Sequence, residues 1–83
     1  MHETGVIKAM VAALERLSRE HGDHKIKSVN IEISEFGGFD EAHFREHFEQ
    51  ETRGTRWQGV GLNLSRVEIG EPARLVSVTF CGE

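Results

Sequence analysis

The sequence predicts an α+β fold, a two-layer sandwich in which two helices lie on one face of a three-stranded mixed sheet in the order α-β-α-β-β. Three observations carry this prediction: two segments have apolar residues at helical spacing, three segments alternate apolar and polar residues, and glycines separate most of these segments. With 83 residues, the chain has the length of one small domain, so we expect residues 1–83 to fold as a single unit.

The first helix is predicted over residues 5–21, where apolar side chains recur every three or four positions. This stripe comprises Ile7, Met10, Leu14 and Leu17. Gly22 follows it and is the residue type that ends a helix in the left-handed conformation. Glu3, just ahead of the first turn, suits the positive end of the helix dipole.

The second helix is predicted to begin at Asp40, whose side chain can accept hydrogen bonds from the first free amides. Phe39 and Phe44 occupy the two positions of a hydrophobic staple, and Gly54 marks the end of the helix. Between the two helices, KIKSVNIEISEF alternates apolar and polar residues and predicts a half-buried strand.

Two more strands are predicted, VGLNLSRVEI over residues 60–69 and LVSVTF over residues 75–80, with GEPAR between them as the turn of a hairpin. The alternation slips between Leu64 and Val67, which predicts a β-bulge. The expected core consists of apolar residues from all five elements: Ile7, Met10, Leu14, Leu17, Val29, Ile31, Ile33, Phe44, Phe48, Leu62, Leu64, Val78 and Phe80.

The charge balance disfavours nucleic acid as a partner. The formal net charge is −4, and the ten basic residues are scattered along the chain.

Cys81 is the single cysteine, so neither an intramolecular disulfide nor a Cys-x-x-Cys metal site can form, and a reducing compartment fits. No segment has the pattern of a signal peptide or approaches the ~18 apolar residues of a membrane span. We therefore expect a soluble cytoplasmic protein.

The first three residues, Met1-His2-Glu3, form a candidate metal site. In a free N-terminal X-His sequence, the α-amine, the His2 amide nitrogen and the His2 imidazole Nδ1 can chelate one metal ion through fused five- and six-membered rings. Planar, nitrogen-rich ligand sets suit Ni(II) or Cu(II). Because methionine aminopeptidases need a small second residue, His2 should keep Met1 in place. The alternative interpretation is that His2 is a solvated residue of the chain terminus.

A second candidate is HFREH over residues 43–47, which spells H-x-x-E-H, a zinc-peptidase motif in which two histidines on one helical face bind the metal. A catalytic site also needs a third protein ligand, and the segment after His47 contains neither another histidine nor a pair of cysteines. The buried stripe falls on Phe44 and Phe48. We therefore expect His43 and His47 at its flank, as solvated or partner-facing residues.

Taken together, MHE at the start, the amphipathic helix behind it, ISEFGG after the first strand, and EAHFREHFE followed by TRGT resemble the hydrogenase/urease nickel-incorporation metallochaperones of the HypA type. The likeness runs through residues 1–69 and resumes in the last strand. It implies a protein that is not an enzyme, with its helices on one side of the sheet and a Ni(II) site at the N-terminus. In that site the His2 ring binds the metal, and Met1 and Glu3 contribute backbone atoms.

The same resemblance implies two protein partners, a maturation GTPase that shares nickel delivery and the hydrogenase large subunit that receives the metal.

One departure from the family is large. Its members insert a zinc domain with two Cys-x-x-Cys pairs between the last two strands, where this chain has only GEPAR. We therefore expect no structural zinc.

The sequence thus predicts a nickel-binding accessory protein of [NiFe]-hydrogenase maturation, with no nucleic-acid or membrane partner. Two alternatives stay open: a metal-free interaction module of the same ancestry that docks on a hydrogenase or a GTPase, and the peptidase suggested by H-x-x-E-H. An open sheet with two edges also allows self-pairing into a homo-oligomer.

Overall fold

The computed structural model describes residues 3–35 and 38–81. Five elements follow one another in the predicted order, so the α+β fold class is confirmed. They are α1 (Glu3–Glu20), β1 (Ile26–Ser34), α2 (Glu41–Thr52), β2 (Gly61–Val67) and β3 (Ala73–Phe80).

The helix boundaries follow from local signals that the sequence contains. Gly22 has a φ of 70° and lies just after the last turn of α1. The Asp40 side chain accepts a hydrogen bond from the His43 backbone N–H at 3.0 Å and caps the start of α2. The rings of Phe39 and Phe44 lie 5.8 Å apart between centroids, which confirms the hydrophobic staple.

The sheet has the strand order β2-β1-β3, with β1 parallel to β2 and antiparallel to β3. The predicted β2–β3 hairpin is therefore wrong. Because α2 carries the chain from the end of β1 back to its start, β2 pairs parallel to β1, and β3 then takes the other edge. Residues 68–72 cross the end of β1, where the Ser34 N–H donates to the Pro72 carbonyl at 3.1 Å and the Glu35 N–H to the Val67 carbonyl at 2.8 Å.

The predicted bulge between Leu64 and Val67 is also wrong. The pairing of β2 with β1 runs from Ser28 opposite Gly61 to Ser34 opposite Val67 without a shift. Val67 is the last residue of an edge strand and is only partly covered, so its apolar side chain requires no change of register.

The register shifts of the sheet lie instead between β1 and β3. Asn30 pairs with Ser77 and Ile31 with Leu75, so Val76 is the extra residue, and it is 44% exposed. The bulge lets Leu75 and Val78 both pack against the core although they are three residues apart.

Both helices contribute side chains to one cluster with β1, which places them on the same face of the sheet. Leu17 is only half-buried, and the neighbouring position, Ser18, is fully buried instead. Four other predicted core residues lie on the two edge strands and pack against this cluster as partly buried residues: Leu62, Leu64, Val78 and Phe80. The buried apolar residues are Ile7, Met10, Leu14, Ile26, Val29, Ile31, Ile33, Phe44, Phe48 and Trp57.

The two helices run in the same direction, because contacts join their carboxyl ends. The indole Nε1 of Trp57, beyond the end of α2, donates to Glu15 Oε2 at 2.9 Å. Arg56 donates to the Ser18 hydroxyl at 3.0 Å. Glu15 and Ser18 both belong to the last two turns of α1. The amino ends of α1 and α2 therefore lie at the same end of the domain.

Candidate metal site at the amino end of the first helix

The candidate nickel site at Met1-His2-Glu3 lies at the start of α1. Met1 and His2 are outside the described residues, and Glu3 is the first residue of the helix. The first four backbone N–H groups of an α-helix have no acceptor within the helix. The backbone nitrogen of Glu3 is therefore not required by the helical hydrogen-bond ladder and can serve as a ligand.

The first turn of α1 is open on one side and anchored on the other. Thr4 and Gly5 are exposed, and a Cβ atom placed on Gly5 would meet nothing within 4 Å. One turn later, Ile7 is fully buried and Met10 is 6% exposed. The start of the helix is thus fixed by the core while its outer side can be approached by a second protein.

His43 and His47 occupy the first two turns of α2, at the same end of the domain. Their ring centroids are 4.6 Å apart, and the ring planes are inclined by 41°. His43 is exposed and His47 is half-buried, while Phe44 and Phe48 are buried. The structure thus places both histidines at the flank of the buried stripe, as predicted.

Within residues 3–35 and 38–81, no group of three or more His, Cys, Asp or Glu side chains is placed to hold one metal ion. The described part of the chain therefore gives the H-x-x-E-H pair no third protein ligand. Cys81 is exposed and follows β3 directly.

Sequence reasoning missed the residues that fix the relative position of the helices. Trp57 is 1% exposed, and the guanidinium of Arg56 lies 4.6 Å from the centroid of its ring. Arg56 also lies 3.7 Å from a carboxylate oxygen of Glu15. The available signal was the single tryptophan of the sequence, which follows a helix end without any periodic pattern of its own.

Neither described helix combines the length and the apolar content that crossing a membrane requires.

The described residues form a small two-layer α+β domain, and the predicted metal ligands Met1, His2 and Glu3 are at the start of the sequence that leads into α1. The model of the family described as "Hydrogenase/urease nickel incorporation, metallochaperone, hypA" matches residues 1–71. The chain belongs to this HypA family of nickel metallochaperones, which are carriers of the metal and not enzymes.

Among solved structures, the solution structure of the Ni metallochaperone HypA from Helicobacter pylori has a TM-score of 0.81 with this chain. The alignment covers 100% of both chains at 19% sequence identity, a level at which the likeness establishes the fold. No curated protein sequence matches the chain.

Proposed function

We propose that this chain, as a single domain, carries Ni(II) as cargo in [NiFe]-hydrogenase maturation and binds it at Met1-His2-Glu3. The observation that carries the proposal is the position of this tripeptide. It stands at the start of the family match and leads directly into a helix whose first turn is open at Thr4 and Gly5.

The proposed ligands are nitrogen atoms that lie close together in the covalent structure. The α-amine, the His2 amide nitrogen and His2 Nδ1 close fused five- and six-membered rings around one ion, and the Glu3 backbone nitrogen is the next donor along the chain. Each amide nitrogen that binds the metal releases its proton to solvent. Such a set suits the planar coordination of Ni(II). Carboxylate oxygens or water can complete the coordination.

A carrier must release its metal as well as bind it. The buried residues Ile7 and Met10 hold α1 in place, and the exposed first turn leaves room for the ligands of a receiving protein. We propose that the partners are a maturation GTPase and the large subunit of a hydrogenase, and that transfer takes place in the cytoplasm. The single cysteine of the chain fits a reducing compartment.

A second candidate function is a metal-free interaction module that docks on the same partners. It is favoured by Ile69, which is 87% exposed in the connection between β2 and β3 where the family resemblance implies a zinc domain. A partner that covered this side chain would remove apolar surface from water, which favours association. Partner binding that is indifferent to His2 would favour this alternative.

His2→Ala should weaken nickel binding by at least tenfold, about 1.4 kcal/mol, because it removes the imidazole that closes the second chelate ring. Isothermal titration calorimetry of the untagged protein with Ni(II) measures this effect. His24→Ala is the matched control, since His24 lies at the opposite end of α1 from the N-terminus. Equal affinity in the His2→Ala variant and the wild type would contradict the N-terminal site.

Removal of metal by EDTA should leave the thermal unfolding transition of the protein unchanged. A structural zinc site contributes folding energy outright, so a zinc-dependent domain loses its transition when the metal is removed. Here the proposed source of stability is the apolar core around Phe44 and Phe48. Circular dichroism melts with and without EDTA, together with zinc analysis of the purified protein, test this. Loss of the cooperative transition in EDTA would show that the fold needs a metal.

A further inference from the structure

We propose that His43 and His47 form a second metal site, in which two imidazoles on α2 bind one divalent late first-row transition metal ion. Its two ligands differ from those of the N-terminal chelate, and the inference does not rest on nickel binding at Met1-His2-Glu3. It would also exist in a chain that handles no nickel at its N-terminus.

The spacing of the two rings suits the binding of one metal ion by both. Side chains four positions apart on a helix lie on the same face, and two histidines at this spacing can bind a single ion. In α2 the ring centroids of His43 and His47 are already 4.6 Å apart with the planes inclined by 41°. Rotation about the side-chain bonds can therefore direct one nitrogen of each ring to a common point.

The helix that carries the pair is held rigidly. Asp40 caps its first turn, and Phe44 and Phe48 are 0% and 2% exposed on its inner side. Arg45 donates to the Leu62 carbonyl at 3.0 Å and ties the middle of the helix to β2. Because the helix backbone is already formed, metal binding has to reorient only the two side chains, which exchange present contacts for the metal ion.

His43 and its neighbour Glu46 are exposed on the flank of the helix. His47 is half-buried and its Nδ1 is buried, so we assign Nε2 as the metal ligand of His47. The chain has a net charge of −4, which favours the approach of a cation. Imidazole nitrogens suit zinc, copper and nickel ions. Among residues 3–35 and 38–81, no third protein ligand joins the pair, so the two imidazoles are the protein ligands that the proposal names.

The affinity order of such a site follows from its ligands. Nitrogen sites for divalent first-row metals generally bind Cu(II) more tightly than Ni(II) or Zn(II). We expect the His43–His47 site to hold one Cu(II) most tightly and to bind Ni(II) and Zn(II) more weakly. The site has the chemistry of a two-histidine anchor to which another protein can add ligands.

The test is a titration of the His2→Ala protein, in which the N-terminal imidazole is absent. We expect this protein to retain one weak site for Ni(II) in calorimetry. The added pair His43→Gln and His47→Gln should weaken that site by at least tenfold. The matched control, His21→Gln with His24→Gln, removes two histidines from the other end of the domain and should leave the site unchanged.

A second measurement locates the metal directly. In NMR spectra of the His2→Ala protein, substoichiometric Zn(II) should shift the imidazole carbon-bound proton signals of His43 and His47 together, before those of His21 and His24. The exposed single variant His43→Gln should abolish the shift of His47, and its amide spectrum reports whether the fold is kept.

The proposed site would be overturned if the His2→Ala protein bound Ni(II) equally well with and without the His43→Gln and His47→Gln substitutions. It would also be overturned if the His21→Gln and His24→Gln control lost as much Ni(II) affinity. Zn(II) shifts that appear first at His21 or His24 in the His2→Ala protein would overturn it too. Failure of the N-terminal proposal gives a different result: the untagged wild type would then bind nickel no more tightly than the His2→Ala protein, while the His43–His47 site remained.

Discussion

A chain that carries extra residues ahead of Met1 is expected to lose nickel affinity by about a hundredfold, which corresponds to roughly 2.8 kcal/mol. The extension keeps every side chain of the protein but converts the α-amine of Met1 into an amide. An amide nitrogen is a far poorer ligand until it loses its proton. The chelate then lacks its terminal donor and one of its two fused rings.

The measurement compares three forms of the protein by calorimetry with Ni(II). One form begins at Met1, one carries a short cleavable N-terminal extension, and one carries the same extension at its carboxyl end. Proteolytic removal that leaves Met1 as the first residue should restore the affinity. If the N-terminally extended form binds as tightly as the form that begins at Met1, the proposed chelate is wrong.

The same site predicts a pH dependence with a defined sign. An α-amino group has a reference pKa of about 8, and it must lose its proton before it can coordinate a metal. Below that pKa, protons compete with nickel for the amine, so the affinity falls as pH falls. The extended form has no such amine. Its remaining nickel binding should change less steeply between pH 8 and pH 6 than that of the form beginning at Met1.

The fold class was predictable because each element has its own local signal. Periodicity gave α1, alternation gave β1, and the Asp40 cap together with the Phe39 staple gave the start of α2. These features act within a few residues of one another. The pairing of the strands is instead decided by distant segments. Nothing in GEPAR distinguishes a hairpin from a connection that crosses the end of β1.

The bulge illustrates the same limit. The alternation of apolar and polar residues changes near Val67, but β2 ends there and its register with β1 does not shift. The register shift that the sheet does contain lies in the pairing of β3 with β1. The candidate site at residues 1–3 stays a prediction from its motif, because Met1 and His2 lie outside the described residues. The common direction of α1 and α2, which brings His43 to the same end, required the contacts of Trp57 and Arg56.

Replacing Trp57 by alanine is expected to destabilise the protein by about 3–5 kcal/mol, the range for large aromatic residues removed from a core. Trp57 is 1% exposed and is the largest of the fully buried side chains. A chain of this length has a total stability of roughly 4–12 kcal/mol. The substitution therefore removes a large part of the free energy of unfolding. Urea unfolding followed by circular dichroism should show a transition midpoint at a much lower urea concentration.

Two further variants separate the packing of the ring from its hydrogen bond. Trp57→Phe keeps most of the apolar surface and removes the N–H that donates to Glu15 at 2.9 Å. We expect the free energy of unfolding of Trp57→Phe to fall by about 1–2 kcal/mol, because a hydrogen bond to a charged group stabilises a protein more than one between neutral groups. The Glu15 side chain is 39% exposed, so water can replace the lost donor. Glu15→Gln keeps an acceptor oxygen and should cost less than 1 kcal/mol.

The order of these effects tests how the two helices are held together. If packing dominates, the loss of stability should depend on the size of the apolar side chain at position 57. Trp57→Ala should then be much less stable than Trp57→Phe, and Glu15→Gln should be close to wild type. If the polar contacts dominate, Trp57→Phe and Trp57→Ala should be equally unstable. A Trp57→Ala protein within 1 kcal/mol of wild type at unchanged m-value would mean that residues 53–60 are not part of the cooperative core. The carboxyl ends of α1 and α2 would then be held by the rest of the apolar cluster, which includes Leu14 and Phe48.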